Sequence, residues 1–325
     1  MPSWGEILAE LNASAPANNG QPDFDGVRRR YLKALNRLTG RDVIIYYADW
    51  LGGGAQDPLN VSIHYGDMQG LMEVFRDLRA PGLDLFLHSP GGSAEAAARM
   101  LDYLRSKYDD IRVVVPLAAM SAATMLALGS DRILMGKHSQ LGPIDPQVST
   151  PTGQYAPAAA ILEQFDRAQS ECQADPSRLG AWLPILQQYG VALLQICEAQ
   201  QRLGRRMVSR WLREYMLRGQ PAASRKASAI ARYFGDYGRH KSHSLAITRT
   251  DARSRGVVIE NLEDDPALQD AILSVHHATM LTLNGSAVKI IENHLGRAFV
   301  INQAQAVFQL PLPQIAPAPA PPSSP

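Results

Sequence analysis

The stretch from Leu83 to Gln147 constrains the fold of this chain more than any other. Its short apolar run at 85–87 is stopped by Ser-Pro-Gly-Gly at 89–92, which is typical of a strand that runs into a glycine turn. From Ser93 the apolar spacing becomes that of an amphipathic helix, and the β-rich run 112–116 then begins a second strand, turn and helix. The pattern therefore predicts an α/β fold in which two turns present free backbone N–H groups at helix starts.

These two turns can place backbone amides next to a serine hydroxyl. Gly91 and Gly92 lack side chains, so a substrate carbonyl can approach their N–H groups closely. Ser121 falls at the first turn of the second helix, with the N–H of Ala122 beside it. Amides that converge near a hydroxyl form an oxyanion hole, and one such donor is worth about 2.7–4 kcal/mol to the transition state. We therefore predict a nucleophile at Ser121; the alternative is a small residue that lets a buried helix pack closely on a strand.

The same residues resemble a known group of peptidases. Ser-Pro-Gly-Gly at 89–92, followed by Ala-Met-Ser-Ala at 119–122, resembles the Clp protease proteolytic subunit and the signal peptide peptidase group of the Clp/crotonase superfamily. Gly-Pro-Ile-Asp-Pro-Gln at 142–147 resembles more narrowly the serine dehydrogenase proteinase family, as does Lys-Ile-Ile-Glu-Asn at 289–293. The resemblance implies a Clp/crotonase-like superhelix of ββα units with a helical insertion. It also implies a serine peptidase that needs no cofactor and acts on a peptide or protein substrate.

Three residues are candidates for the general base. The histidine and the lysine that serve the two resembled groups have no counterparts at the corresponding positions here. The main prediction is a rearranged triad in which His243 is the base and Asp145 orients its imidazole, because triads are defined by geometry rather than by chain order. His138 and Lys137 are the other candidate bases, and each is otherwise a surface residue in the turn after a strand at 133–135.

Three functions stay open at this point. The first is a serine peptidase, in which the substrate acylates Ser121 and water then hydrolyses the resulting ester. The second is a relative without a working base, which keeps the fold and acts as a scaffold or oligomeric regulator. The third is a crotonase-like acyl-CoA enzyme, against which the serine at this position and the lack of a suitably placed glutamate argue.

The chain divides into five predicted parts. Residues 1–40 are expected to form N-terminal helices, and residues 41–158 the αβ core with the nucleophile. Residues 159–234 have helical spacing and little β signal, so we expect a helical insertion that caps the site or joins subunits of a homo-oligomer. Residues 235–305 hold the last αβ unit and a C-terminal helix, and the Pro/Ala-rich tail 306–325 is expected to be disordered.

Composition narrows the class further. The 325 residues are 46% hydrophobic, as in a globular protein, and carry a net charge of +1. Because the overall charge is close to zero, it does not indicate nucleic acid or an anionic membrane as a partner. The first residues lack the basic and apolar regions of a secretory signal, and the apolar run 113–128 contains Pro116, so a buried strand and helix are expected rather than a membrane span. Cys172 and Cys197 are expected to be buried free thiols of a reducing, cytoplasmic compartment.

The remaining predictions concern histidines and short elements. No cysteine or acidic residue accompanies His240, His243 or the pair 276–277 at helical spacing, so no metal is predicted, and His88 is expected to be structural. Further short elements are predicted from local patterns, namely a strand at 62–65, a helix capped by Asp67 and running to Leu78, a strand at 256–259 and a helix at 266–283.

Overall fold

A computed structural model describes residues 3–52, 57–150, 153–285 and 287–302. The predicted disordered tail at 306–325 lies outside the described residues. The β-strands are β1 Asp42–Ala48, β2 Gly82–His88, β3 Asp110–Val115, β4 Ala118–Ala119, β5 Arg132–Met135, β6 Gln140–Leu141, β7 Gln147–Ser149, β8 Tyr155–Pro157, β9 Ile247–Thr248, β10 Ile259–Asn261, β11 Ala287–Asn293 and β12 Ala298–Asn302. The α-helices are α1 Trp4–Ser14, α2 Phe24–Thr39, α3 Pro58–Val61, α4 Asp67–Val74, α5 Ala94–Arg105, α6 Ala122–Leu128, α7 Ala158–Ala174, α8 Leu179–Leu186, α9 Leu193–Glu214, α10 Ala223–Phe234, α11 Tyr237–His240, α12 Arg249–Ser254 and α13 Pro266–Leu283.

The main sheet has the strand order β10-β5-β3-β2-β1-β11-β12. The strands from β10 to β1 run parallel, whereas β11 and β12 continue the sheet as an antiparallel pair. Every residue of β1 and β2 is buried, as expected for parallel strands that are covered by helices on both faces. Helices connect the successive parallel strands β1, β2 and β3, so the predicted α/β class is confirmed.

Helices cover the sheet on both faces. One face packs against α5, α6, α9 and α10, whose contributions to a single core cluster include Met100, Leu126, Trp211 and Phe234. The other face packs against α2 and α13, and α1 lies over these two helices. The site described below lies on the first of these faces, at the carboxyl ends of the parallel strands, where open α/β sheets bind their ligands.

Helices occupy most of the stretch 159–234, in two different environments. The carboxyl half of α9 and all of α10 pack into the main core, whereas α7 and the start of α9 enclose a smaller cluster that includes Cys197. No residue of α8 is buried. Both cysteines are free thiols, but Cys172 is half-buried, which corrects the prediction that both are buried.

Several local elements differ from their predictions. No named strand forms at 62–65; Ile63 makes only an isolated parallel bridge to Gly92. The helix that begins at Asp67 ends at Val74, and the Asp67 carboxylate turns into the protein interior instead of capping the helix. The hairpin of β11 and β12 follows α13 where no strand was predicted. Across the described ranges, no helix is both long enough and apolar enough to cross a membrane.

Candidate active site

Ser121 lies at the sharp turn between β4 and α6. Its backbone has φ +50° and ψ −118°, a conformation that costs a non-glycine residue roughly 1–3 kcal/mol and persists only where neighbours hold it. Two hydrogen bonds pair this turn with the end of β2: the Ser89 N–H donates to Ala118 O at 3.2 Å, and the Met120 N–H donates to Ser89 O at 2.9 Å. The strained serine therefore has a fixed position at the amino end of α6.

The glycine turn after β2 packs directly against this serine. Gly91 and Gly92 have φ of +103° and +144°, a region that favours glycine. A Cβ at Gly91 would lie 2.6 Å from Ser121 Cβ, and a Cβ at Gly92 would lie 2.4 Å from Ile63 O. Both separations are shorter than real Cβ atoms show, so a side chain at either position would clash. Glycine is therefore favoured at 91 and 92 for a steric reason as well as a conformational one.

Two backbone amides at this point are available to a ligand. Within the described residues, neither the Gly92 N–H nor the Ala122 N–H has a hydrogen-bond acceptor, and both residues line the cleft that contains Ser121. The Gly91 N–H instead donates to Ser89 Oγ at 3.2 Å. The geometry therefore favours Gly92 and Ala122 as the oxyanion donors, with Gly91 as the residue that allows the close approach.

His243 and Asp145 meet across 98 residues of sequence. His243 Nδ1 lies 2.8 Å from Asp145 Oδ1. Asp145 is 2% exposed and also accepts a hydrogen bond from Gln147 Nε2 at 2.9 Å, whereas the His243 side chain is 26% exposed. A carboxylate at Nδ1 favours the tautomer with the proton on that nitrogen, which leaves the Nε2 lone pair as a base.

The serine, the amides and this pair share one cleft of about 640 Å³. The structure contains no hydrogen bond between Ser121 and His243 among the described residues, although catalytic hydrogen bonds are often long without substrate. Much of the lining is apolar, from Leu59, Ile63, Met125, Ile144, Val148 and Ile196. The described lining includes no lysine or arginine.

Some residues of the cleft were missed by sequence reasoning. Ile63 and Ile196 come from segments far from the motifs, and only the weak β signal at 62–65 pointed to the first of them. Glu95 also lines the cleft, where its carboxylate accepts a hydrogen bond from Ser93 Oγ at 3.1 Å. Glu95 is the one glutamate in the described lining, and the expectation that no glutamate is suitably placed for crotonase-like chemistry stays a prediction.

The other two candidate bases lie outside this cleft. Lys137 and His138 are exposed in the turn between β5 and β6, and neither is among the residues that line the cleft. The turn is fixed locally, because the Gly136 N–H donates to Ser139 Oγ at 2.9 Å and the Lys137 N–H donates to Glu263 Oε1 at 2.8 Å. The structure therefore does not bring Lys137 or His138 to Ser121.

Of the remaining histidines, His64 also lines the cleft, with its side chain 33% exposed, whereas His88 and His240 are internal groups. His88 is fully buried beside the rings of Tyr47 and Trp50, and burial lowers its pKa to about 4. His240 is buried and its Nε2 lies 2.7 Å from Tyr233 O. In the part of the chain that the structure describes, no three histidine, cysteine or acidic side chains lie close enough to hold a metal ion.

Comparison with known proteins agrees with the resemblance. The family model described as ClpP-like SDH-type serine proteinase matches residues 64–179. This segment contains Gly92, Ser121 and Asp145 but ends before His243. The predicted resemblance to the serine dehydrogenase proteinase family is thereby confirmed over this segment.

The chain is similar to two uncharacterized proteins of Methanocaldococcus jannaschii. One, MJ0137, is 37% identical over 111 residues, which are 33% of this chain and 37% of that protein. The other, MJ1495, is 41% identical over 85 residues, which are 26% of this chain and 27% of that protein. The similarity thus spans little more than a third of the length of the first relative and about a quarter of the length of the second.

Two solved structures are also similar, both of mutants of the 1510-N membrane-bound stomatin-specific protease. The alignment with one of them covers 65% of this chain and 79% of the matched chain, with 16% identity and a TM-score of 0.39. The other structure is in complex with a substrate peptide. Its alignment covers 69% of this chain and 74% of the matched chain, with 16% identity and a TM-score of 0.35.

Proposed function

We propose that this chain is a serine peptidase in which Ser121 is the nucleophile, His243 the general base and Asp145 the group that orients the imidazole. The observation that carries the proposal is the 2.8 Å contact between His243 Nδ1 and Asp145 Oδ1 at the cleft that also contains Ser121. A nucleophile, an oriented base and two unpaired amides in one cleft are the parts that acyl transfer requires.

The reaction follows from these parts. His243 Nε2 takes the proton of Ser121 Oγ as this oxygen attacks the scissile carbonyl carbon, and the Asp145 carboxylate stabilises the imidazolium. The Gly92 and Ala122 N–H groups donate to the oxyanion of the tetrahedral intermediate. The imidazolium then gives its proton to the leaving amine as the C–N bond breaks. Water, deprotonated by the same nitrogen, hydrolyses the ester and restores the serine.

The lining of the cleft supports a peptide substrate. Its apolar surface suits the side chains of an extended peptide, and its described lining contains no lysine or arginine to bind a terminal carboxylate or a phosphate. An internal peptide bond is therefore favoured over a C-terminal one. The same lack of lysine and arginine disfavours an acyl-CoA substrate, whose phosphates carry negative charge.

Labelling with a fluorophosphonate probe, followed by intact mass, tests this proposal. The wild-type protein should take up one probe per chain. Ser121→Ala should abolish labelling, and His243→Ala should slow it by about 10²–10⁴ because the base is lost. The matched controls are Ser149→Ala, a second serine of the cleft, and His138→Ala, an exposed histidine outside it.

Each result separates one candidate function from another. Labelling that survives in Ser121→Ala would reject the nucleophile. A wild-type protein that takes up no probe and cleaves no peptide would favour the scaffold without a working base. Saturable binding of a CoA thioester at the same cleft would favour the crotonase-like reaction.

We also propose that a second copy of the chain covers α8, giving a homo-oligomer. Leu179, Leu183 and Ile185 of this helix are 51%, 47% and 37% exposed, and no residue of the helix is buried. An apolar helix with no buried residue is typical of an interface between subunits. Light scattering should show an oligomer for the wild type and a smaller species for Leu183→Glu, with Arg202→Glu on exposed α9 surface as control. A wild-type monomer at micromolar concentration would contradict this.

A further inference from the structure

A buried ion pair lies behind the wall of the cleft. Lys289 Nζ of β11 is 2.8 Å from Asp67 Oδ1 at the start of α4, and both side chains have no exposed surface. A buried pair of this kind loses so much hydration that an apolar replacement is often neutral or even stabilising. The pair is therefore weak evidence for stability, and its other contacts are informative.

Those contacts fix the short segment Ser62–His64 on both sides of Ile63. Lys289 Nζ donates to Ser62 O at 2.7 Å. The His64 N–H donates to Asp67 Oδ2 at 3.0 Å, and Tyr46 OH donates to the same oxygen at 2.7 Å. The ion pair thus holds one carbonyl and one amide of a segment that has no regular strand partner of its own.

Ile63 in turn holds the glycine turn. Its N–H donates to Gly91 O at 2.7 Å, and its carbonyl accepts from the Ser93 N–H at 2.9 Å. In a planar trans peptide the C=O and the N–H point in opposite directions. Because the Gly91 C=O points at Ile63, the Gly92 N–H of the same peptide unit points away from it, into the cleft that Gly92 lines.

We infer that Lys289 and Asp67 are positioning residues that aim the Gly92 amide, acting through Ser62–His64 and the bridge to Ile63. Neither side chain lines the cleft, so neither touches substrate. The inference rests on the proposed function, since it assigns the pair a role only if the Gly92 N–H stabilises an oxyanion.

The test compares two neutralised ion pairs in the full chain. The double variant Lys289→Met/Asp67→Asn removes both charges of this pair, so no unpaired charge is left in the core. Tyr46→Phe removes one donor to Asp67 and is the milder variant. The control is Arg28→Met/Glu292→Gln, which removes a second fully buried pair that involves the same strand but lies on the opposite face of the sheet.

The readouts are the two constants of fluorophosphonate labelling, the maximal rate and the half-saturating concentration, together with the urea midpoint. In Lys289→Met/Asp67→Asn the maximal rate should fall by roughly 10- to 100-fold, short of the 10²–10³ expected when the donor is lost outright. The half-saturating concentration should change by less than about threefold, because the amide acts mainly in the transition state. Tyr46→Phe should show a smaller fall in the same direction.

Three outcomes would overturn the inference. Wild-type rates in both Lys289→Met/Asp67→Asn and Tyr46→Phe would reject it while leaving the proposed function intact. An equal fall in Arg28→Met/Glu292→Gln would mean that any loss of core polarity slows the reaction. A wild-type protein that does not label at all would reject the inference and the proposed function together.

Discussion

Gly92→Ala is the substitution that tests the candidate site most directly. A methyl group there would lie 2.4 Å from Ile63 O and 2.5 Å from Ile63 N, against an ordinary contact of 3.4–4 Å. Both neighbours are backbone atoms, so the turn or the segment around Ile63 has to move by about 1 Å, and a shift of that size can cost roughly 10²-fold in rate. Alanine at φ +144° adds a strain of roughly 1–3 kcal/mol.

The expected result is a fall of about 10²–10³ in the rate of fluorophosphonate labelling, because the displaced amide no longer donates to the oxyanion. Gly219→Ala is the matched control. Its φ is +74°, so alanine is strained there too, but a Cβ at Gly219 meets no atom within 4 Å. In urea denaturation the free energy of unfolding of the control should fall by about 1–3 kcal/mol, whereas its labelling rate should stay unchanged. Equal labelling rates in the two variants would refute the assignment of the Gly92 amide.

Three further predictions concern Asp145, the support of the loop that precedes it and a buried histidine. Asp145→Asn should slow labelling by roughly 10³–10⁴, because an amide does not hold the imidazole in the required tautomer, and a wild-type rate would reject the triad. Thr124→Val should lower the free energy of unfolding, measured in urea, by about 1–3 kcal/mol. The reason is that Thr124 Oγ1 donates to Ala119 O at 2.7 Å and accepts from the Gly142 N–H at 2.9 Å. A loss below about 0.5 kcal/mol would contradict this. His88, with its pKa lowered from 6.5 to about 4 by burial, binds its proton only in the unfolded chain between these values, so stability should fall by roughly 3 kcal/mol as pH drops through that window. His88→Gln should flatten this dependence of the unfolding free energy on pH, and an unchanged slope would contradict the assignment.

The nucleophile turn could be predicted from sequence because its determinants are local. Gly91 and Gly92 stand where the backbone has φ above +100°, and small residues follow at the start of α6. A short-range pattern therefore predicted both the strand–turn–helix and the serine at its end. What the sequence could not supply was the contact between the glycine turn and Ile63, since that segment forms a single bridge rather than a strand.

The pairing of His243 with Asp145 has no local signal. The two residues are 98 positions apart, and composition around either one is that of an ordinary loop. The prediction came from the resemblance and from the absence of the usual bases. The structure brings the two side chains together, and their catalytic role stays a prediction until the variants are measured.

Asp67 and Lys289 escaped prediction for a related reason. An aspartate before an apolar helical run has the pattern of a helix cap, and only a partner 222 positions away makes it a buried ion instead. Lys289 and Glu292 likewise break the apolar pattern of β11, although every residue of that strand is buried. A strand whose charges are neutralised by distant partners does not look like a strand in its own sequence.

The two buried ion pairs that involve β11 have the same physical cost but different geometry. Glu292 pairs with Arg28 and Arg29 of α2, so its contacts join side chains to side chains. The pair of Lys289 and Asp67 also holds main-chain atoms, the Ser62 carbonyl and the His64 N–H. Apolar side chains of equal volume could replace the packing of either pair, but they could not hold a backbone carbonyl and amide in fixed directions. A fixed direction of the backbone matters where an amide must point at a ligand. Of the two pairs, only that of Lys289 and Asp67 is linked to such an amide, the Gly92 N–H.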